Sequence, residues 1–484
     1  MSDKQAKSTP EIEVLPNFKQ TFLNVAQIGV PSIVSMFSSF SMFVIVTIFA
    51  GHLQSEAIMA GVGMAAMFSN ILGNSLMVGL NATLDTLLSQ AKGFGDLRLC
   101  GVYLNRARIA LTILFIPLSI ILLNTESIFH LLGFDAESSH YSQQFINYYL
   151  PAMYFMGLVE INRKFLQNMD HPRAPMYVQL AVTTMHVGWC YLFTDYFALG
   201  VIGCAISMSV SHLINIIVLH MFTSMCLAND IKEQVWFNMF KKENIKECFD
   251  LQGLREYFRM GISSIGMLSL EWWCYEFMMV FSARLGVIES ATQILLSNFT
   301  ALVYMFPLGL QIGCACLIGS EIGAQNIKRA KHYQHFGQWA GIVLGGLASL
   351  FIFSFKQQIS EVYTNIDEIS LNAQDCFKII AIYFNLDAFQ CVGAGVLRGM
   401  GKICTLNTFT DALRFLFRTW PPWIMVRPNF RYYFPLPLRT VSNQLRLWRL
   451  VHYRKRSTRK DAKRPRKPCH NKREVCKATQ VNQE

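Results

Sequence analysis

Long apolar runs separated by short polar ones dominate the chain. A helix that crosses a bilayer needs about 20 mostly apolar residues. Ten stretches read that way: Val25–Ala50, Ala57–Asn81, Ile109–Leu123, Phe145–Val159, Met176–Phe193, Val201–Leu227, Gly261–Ser282, Ala291–Ser320, Phe336–Phe355 and Cys376–Val396. The eighth has no charged residue from Ala291 to Ser320, a longer charge-free run than a soluble core helix uses. The pattern predicts an all-α polytopic membrane protein.

The polar connections alternate in charge. Those at 91–108, 162–175, 228–260, 321–335 and 397–402 hold 18 Lys+Arg, whereas the intervening ones hold only Arg284 and Lys356. Basic loops stay on the cytosolic side, so the first set, the N-terminus and the C-terminal tail are expected in the cytosol. Residues 1–20 are polar, with no apolar core of a secretory signal before the first span.

The chain also resembles itself. Ile28-Gly-Val-Pro-Ser-Ile-Val-Ser-Met36 is echoed by Met260-Gly-Ile-Ser-Ser-Ile-Gly-Met-Leu268, Gly79-Leu80 by Gly309-Leu310, and Phe165-Leu-Gln-Asn-Met169 by Val396-Leu-Arg-Gly-Met400, at offsets of 232, 230 and 231. An offset of six spans keeps both copies in the same membrane orientation. Parallel repeats of this kind belong to alternating-access transporters, with the substrate site near the midplane between the copies.

Composition sharpens this reading. Of 484 residues, 52% are hydrophobic and 15% charged, against roughly 25% charged in soluble domains; mean hydropathy is +0.30. The net charge of +12 would point to nucleic acid in a soluble protein, but it is local. Residues 401–484 carry 20 Lys+Arg and 4 Asp+Glu, leaving 23 and 27 for residues 1–400. No nucleic-acid partner is expected; the lipid bilayer is. The 13 cysteines are scattered. Cys314 and Cys316 read as soft core residues, and Cys469, His470 and Cys476 lack the further pair a zinc site needs. No phosphate-binding loop, catalytic triad or metal-binding helix is visible, so neither an enzyme nor a cofactor is expected.

Acids inside the spans are costly, at roughly 2.5–3.5 kcal/mol each on insertion scales, and are therefore candidates for function. They are Asp85, Glu160, Glu271, Glu276 and Asp387. Asp85 and Glu160 lie near span ends beside Lys92, Arg163 and Lys164, which suits a cap or an ion pair. Glu271 and Asp387 lie near the centre of their spans. There a carboxyl can stay neutral in the apolar interior and ionise when water or a cation arrives, which is the chemistry of proton-coupled antiport. Glu276, five residues on, falls roughly 140° around the helix from Glu271 and belongs to a different face. Asn298, Gln293 and Gln390 add polar groups for a cavity, and Trp272 and Trp273 offer aromatic faces for organic cations.

Four motifs make the chain similar to the eukaryotic branch of the multidrug and toxic compound extrusion (MATE) family of antiporters: Gly51-His52-Leu53; Ala82-Thr-Leu-Asp85-Thr86-Leu-Leu-Ser-Gln90-Ala-Lys-Gly93; Leu270-Glu271-Trp272-Trp273-Cys-Tyr-Glu276; and Val396-Leu-Arg398-Gly399-Met-Gly401. Tyr304 and Pro307 agree with its eighth helix. The resemblance covers about residues 20–402. It implies a twelve-helix fold of two lobes, export of small organic, often cationic, compounds in exchange for protons, with sodium the lesser alternative, and coupling acids at Glu271 and Asp387. It also implies a cavity of Trp272, Glu276, Asn298, Tyr304 and Gln390, and a monomer in a plasma or vacuolar-type membrane. A flippase for lipid-linked precursors, from the same superfamily, is a rival; it would want a more basic cavity.

The organisation expected is a cytosolic segment 1–24, an N-lobe of six helices at 25–227, a linker at 228–260, a C-lobe of four recognisable helices at 261–402, and a basic tail at 403–484. The tail departs from both repeat and family. Where helices 11 and 12 should fall it holds Arg414, Arg418, Pro421, Pro422, Arg427, Arg431, Pro435 and Pro437, and a central Arg opposes insertion. A shifted reading frame or retained intron, a natural ten-helix variant, and a lipid-binding regulatory tail each account for it. The first would make the chain a MATE-like protein without transport.

Overall fold

The structure, a computed structural model, describes residues 15–401 apart from 54, 228–231, 233–234, 238–240 and 365. The expected tail at 403–484 therefore lies outside the described residues, as do most of the segment 1–24 and part of the linker. The described residues are mostly helical, with no strand among them.

The elements run α1 (Phe18–His52), α2 (Glu56–Ser69), a π-helical turn (Asn70–Asn74), α3 (Ser75–Asn81), α4 (Thr83–Phe94), α5 (Leu97–Leu122), α6 (Thr125–Leu131), α7 (Ala136–Asn168), α8 (Arg173–Tyr191) and α9 (Val201–Cys226). Then follow α10 (Lys242–Cys248), α11 (Leu251–Leu285), α12 (Val287–Gly323), α13 (Ile327–Tyr363) and α14 (Asp367–Gly399). Each of the ten apolar stretches falls on this helical framework.

The helices outrun the apolar stretches, and this corrects the reading of 91–108, 162–175 and 321–335 as loops. Much of each is helix. The starts are set by side-chain caps that satisfy otherwise orphaned amides: Asp96 accepts from Leu99, Asp135 from Ser138, Asp250 from Gly253 and Asn326 from Arg329. Lys and Arg are good helix formers, so the basic residues extend the helices beyond the apolar stretches. Gly95, at φ +87°, ends α4 in the left-handed region that favours glycine. Among the described residues seven helical stretches are long and apolar enough to cross a membrane. α7, α8 and α11 are long but more polar, α7 through Glu160, Arg163 and Lys164.

A core of Met77, Leu80, Leu84, Leu88, Phe145 and Phe165 lies among α3, α4 and α7. A separate one, of Phe299, Ile352, Phe377 and Phe384, lies among α12, α13 and α14. Cys314 and Cys316 are buried apolar residues, as expected of them. At two crossings the first and second halves of the chain meet through glycine. A Cβ on Gly29 would come within 3.0 Å of the Gly309 carbonyl, and one on Gly93 would collide with the Ser320 carbonyl. Glycine is required at these two crossings because backbone meets backbone.

Candidate functional site

Three helices bring Glu271 and Asp387 together. Glu271 sits on α11, where the Tyr304 hydroxyl of α12 donates to its Oε1 at 2.8 Å. Asp387 sits on α14, 3% exposed. Tyr383, one turn earlier, donates to its Oδ1 at 3.2 Å, and the Tyr275 hydroxyl of α11 lies 3.1 Å from that of Tyr383. The second oxygen, Oδ2, is buried without a hydrogen-bond partner. Glu271 and Asp387 are close enough to act on each other electrostatically. Among the described residues, neither has Lys, Arg or His within ion-pair distance.

Glu276 faces elsewhere, as its position on the helix predicts. Asn70 of the π-helical turn donates to its Oε1 at 3.4 Å, and Asn74 donates to Asn70 at 2.9 Å. The extra residue of a π turn shifts the register of the side chains around it, and such turns gather at functional sites. Trp273, rather than Trp272, makes the cross-half contact: its Nε1 donates to the Ile71 carbonyl at 2.9 Å and reaches Ser75 Oγ at 3.2 Å. Trp272 is half-buried, Gln390 is half-buried and Asn298 is exposed. None of the three hydrogen-bonds to Glu271 or Asp387. Gln293 pairs with Ser297 of its own helix instead.

The second cluster lies on α4 and α7 and is joined by Arg398 from the C-terminal end of α14. Asp85, 2% exposed, receives both its oxygens' bonds from Lys164 Nζ, at 2.7 and 2.9 Å. Glu160 pairs with Arg163 and, at 3.6 Å, with Lys164. Asp85 is thus the ion pair foreseen, but buried rather than at the interface, and Lys92 pairs with Asp170 instead. Sequence spacing did not reveal its second cation: Arg398 Nη1 of α14 stands 3.8 Å from Asp85 Oδ2. Beside it Thr86 Oγ1 donates to the Arg398 carbonyl at 2.6 Å and Gln90 Nε2 to the Gly399 carbonyl at 3.1 Å. The motif residues Asp85, Thr86, Gln90, Arg398 and Gly399 thus form one seam between α4 and α14.

Among the described residues no three His, Cys, Asp or Glu side chains are grouped to hold a metal ion.

The family model described as MatE matches residues 31–192 and 264–410, more than half of the chain and once in each half. The chain belongs to the MatE family. The double match agrees with the internal repeat. The chain is 26% identical to multidrug and toxin extrusion protein 1 of Oryctolagus cuniculus over 389 residues, 80% of this chain and 66% of that protein. It is 28% identical to Protein DETOXIFICATION 17 of Arabidopsis thaliana, over 79% of this chain and 78% of that one. The match spans a little under two thirds of the rabbit protein. The crystal structure of the eukaryotic MATE transporter AtDTX14 superposes with a TM-score of 0.73 at 23% identity, covering 80% of this chain and 84% of that one. The Vibrio cholerae MATE transporter VcmN in the bent form gives 0.68 at 16% identity, covering 79% and 85%. The all-α membrane fold expected from the sequence is the fold of this MatE protein.

Proposed function

We propose that this MatE protein is a secondary antiporter that exports small organic, cationic compounds in exchange for protons. The reading rests on one observation: a buried Asp387 and a half-buried Glu271 are each held by a tyrosine hydroxyl, and no cation of the described residues pairs with either. Two carboxyls so placed do not both ionise readily in a medium of low dielectric. A proton on one of them, or a cationic substrate beside them, each relieves the same excess of negative charge, and competition for it couples the two fluxes. The names of the extrusion-protein relatives agree with export. In this reading residues 25–227 and 261–402 are the two lobes, residues 228–260 link them, the basic ends of the helices face the cytosol, and the monomer is the working unit. Glu276, Trp272, Asn298, Tyr304 and Gln390 border the cavity between. The acids of the interior disfavour a flippase for anionic precursors.

Proteoliposomes holding the full chain, loaded with a fluorescent organic cation, test this. An imposed proton gradient should drive efflux, and an equal sodium gradient should drive much less. Efflux that ignores both gradients would refute antiport and leave the non-transporting reading in its place.

A further inference from the structure

Arg398 is buried, 7% exposed, and poorly provided for. Its Nε has no hydrogen-bond partner, and its nearest carboxylate, Asp85, already takes two bonds from Lys164. A guanidinium carries five donors, so this one is held by position more than by its bonds. That position is informative. Eleven residues, about three turns, separate Asp387 from Arg398 on α14, so both lie on one face of the helix, about 16 Å apart along its axis. Cys391, between them, faces Gln311 of α12. No proline interrupts α14. Arg398 is also the cation that acts electrostatically on Glu271.

We propose that Arg398 is a positioning residue that couples the Glu271–Asp387 pair to the seam: when the pair changes its proton count, α14 shifts as one rod, Arg398 leaves Asp85, the Arg398 and Gly399 carbonyls leave Thr86 and Gln90, and α4 parts from α14. Asp85 keeps both bonds from Lys164 on its own half, so parting strands no bare carboxylate. The groups facing the acid pair are Tyr304 of α12, Tyr275 of α11, and Tyr383, Cys391 and Arg398 of α14. α13 presents Gly341 and Gly345 to α14 near Ala388. The inference takes the proton role of that pair from the proposed function and adds the route by which it reaches the seam.

Ser89 of α4, between the seam residues Thr86 and Gln90 and fully buried where Gly319 of α12 runs beside the Gly399 carbonyl of α14, supplies the probe. In the full-length Ser89→Cys protein in detergent, without substrate, the rate of alkylation by a charged thiol reagent is followed by mass spectrometry of the peptide holding residue 89. The rate should differ between acidic and neutral pH, and Asp387→Asn should flatten that difference. Arg398→Gln should raise the rate by about fivefold or more and remove its pH dependence, while Arg398→Lys keeps both near the parent. A pH-independent parent rate overturns the coupling, as does an Arg398→Gln protein, monodisperse by gel filtration, that labels like the parent. So does an Arg398→Lys protein that behaves as Arg398→Gln does. Proton-driven efflux is measured separately, so pH-dependent labelling without efflux sinks the transport reading alone, and efflux without pH-dependent labelling sinks the coupling alone.

Discussion

Asp85 and Asp387 are the same residue at nearly the same burial, 2% and 3% exposed, in the two halves of one chain. Their surroundings are opposite. Asp85 has Lys164 on both oxygens and Arg398 behind. Asp387 has a tyrosine on one oxygen, nothing on the other, and a second carboxyl nearby. Burial alone therefore does not distinguish a structural acid from a working one. A carboxylate whose charge is matched within the protein can only hold things together. One left unmatched stays neutral in the apolar interior or draws a cation to it, and in the proposed function it does each in turn.

The widest gap between the two should appear in stability. Asp85→Ala leaves Arg398 buried without its anion and Lys164 with Glu160 alone, at 3.6 Å, a loss of about 3–5 kcal/mol, read as a lower unfolding midpoint in detergent. Asp387→Asn should be neutral or stabilising in the same assay, and equal costs would dissolve the contrast. Transport should show the reverse. Glu271→Gln and Asp387→Asn should each slow proton-driven efflux by about 100-fold, the scale set by a lost proton-transfer group, in protein that folds like the parent. If efflux and its pH profile survive both changes, the unmatched acids are not the coupling site. Gly319→Val places a side chain against Ser89 and should cost about 1–3 kcal/mol, as overpacking does. The same change on an open helix face, at Gly63, should cost far less. Trp273→Phe deletes the donor to Ile71 and Ser75 and should cost about 1 kcal/mol, with cation affinity as a second readout.

The smallest effect lies outside the membrane. The amide and hydroxyl of Ser138 hold the Asp135 carboxyl below the usual carboxylate range. A depressed carboxyl stabilises the fold above its unfolded-state value, and that contribution fades as pH falls through the folded one. Asp135→Asn keeps a good cap but should remove this strand of the acid dependence of unfolding. An unchanged acid limb would show the cap to be electrostatically silent.

The parts legible in the sequence follow from these physics. Glu271 and Asp387 stand out because a charge in an apolar run is costly wherever the chain folds. The ten apolar stretches stand out for the same reason. Asp85 with Lys164 was one option among three, since several cations lie near it in sequence. Arg398 was visible as a motif but not as a partner, because a contact between residues 85 and 398 depends on how two helices register. The choice of Trp273 over Trp272, and the pairing of Glu276 with Asn70, turn on a single π turn that shifts the helix by one residue. No periodicity announces such a turn. The helices outrun the apolar stretches because apolar length measures the bilayer and caps measure the helix.

The glycines beside the seam carry one more consequence. At Gly93 of α4 and Gly323 of α12 two helices meet backbone to backbone with no side chain between them. Closing a joint lined by long side chains freezes their rotamers, a loss of up to about 2 kcal/mol for each. A joint of bare backbone freezes almost none. In the proposed cycle this crossing would shut and reopen with little loss of side-chain entropy, and its balance should drift little between a cold cell and a warm one.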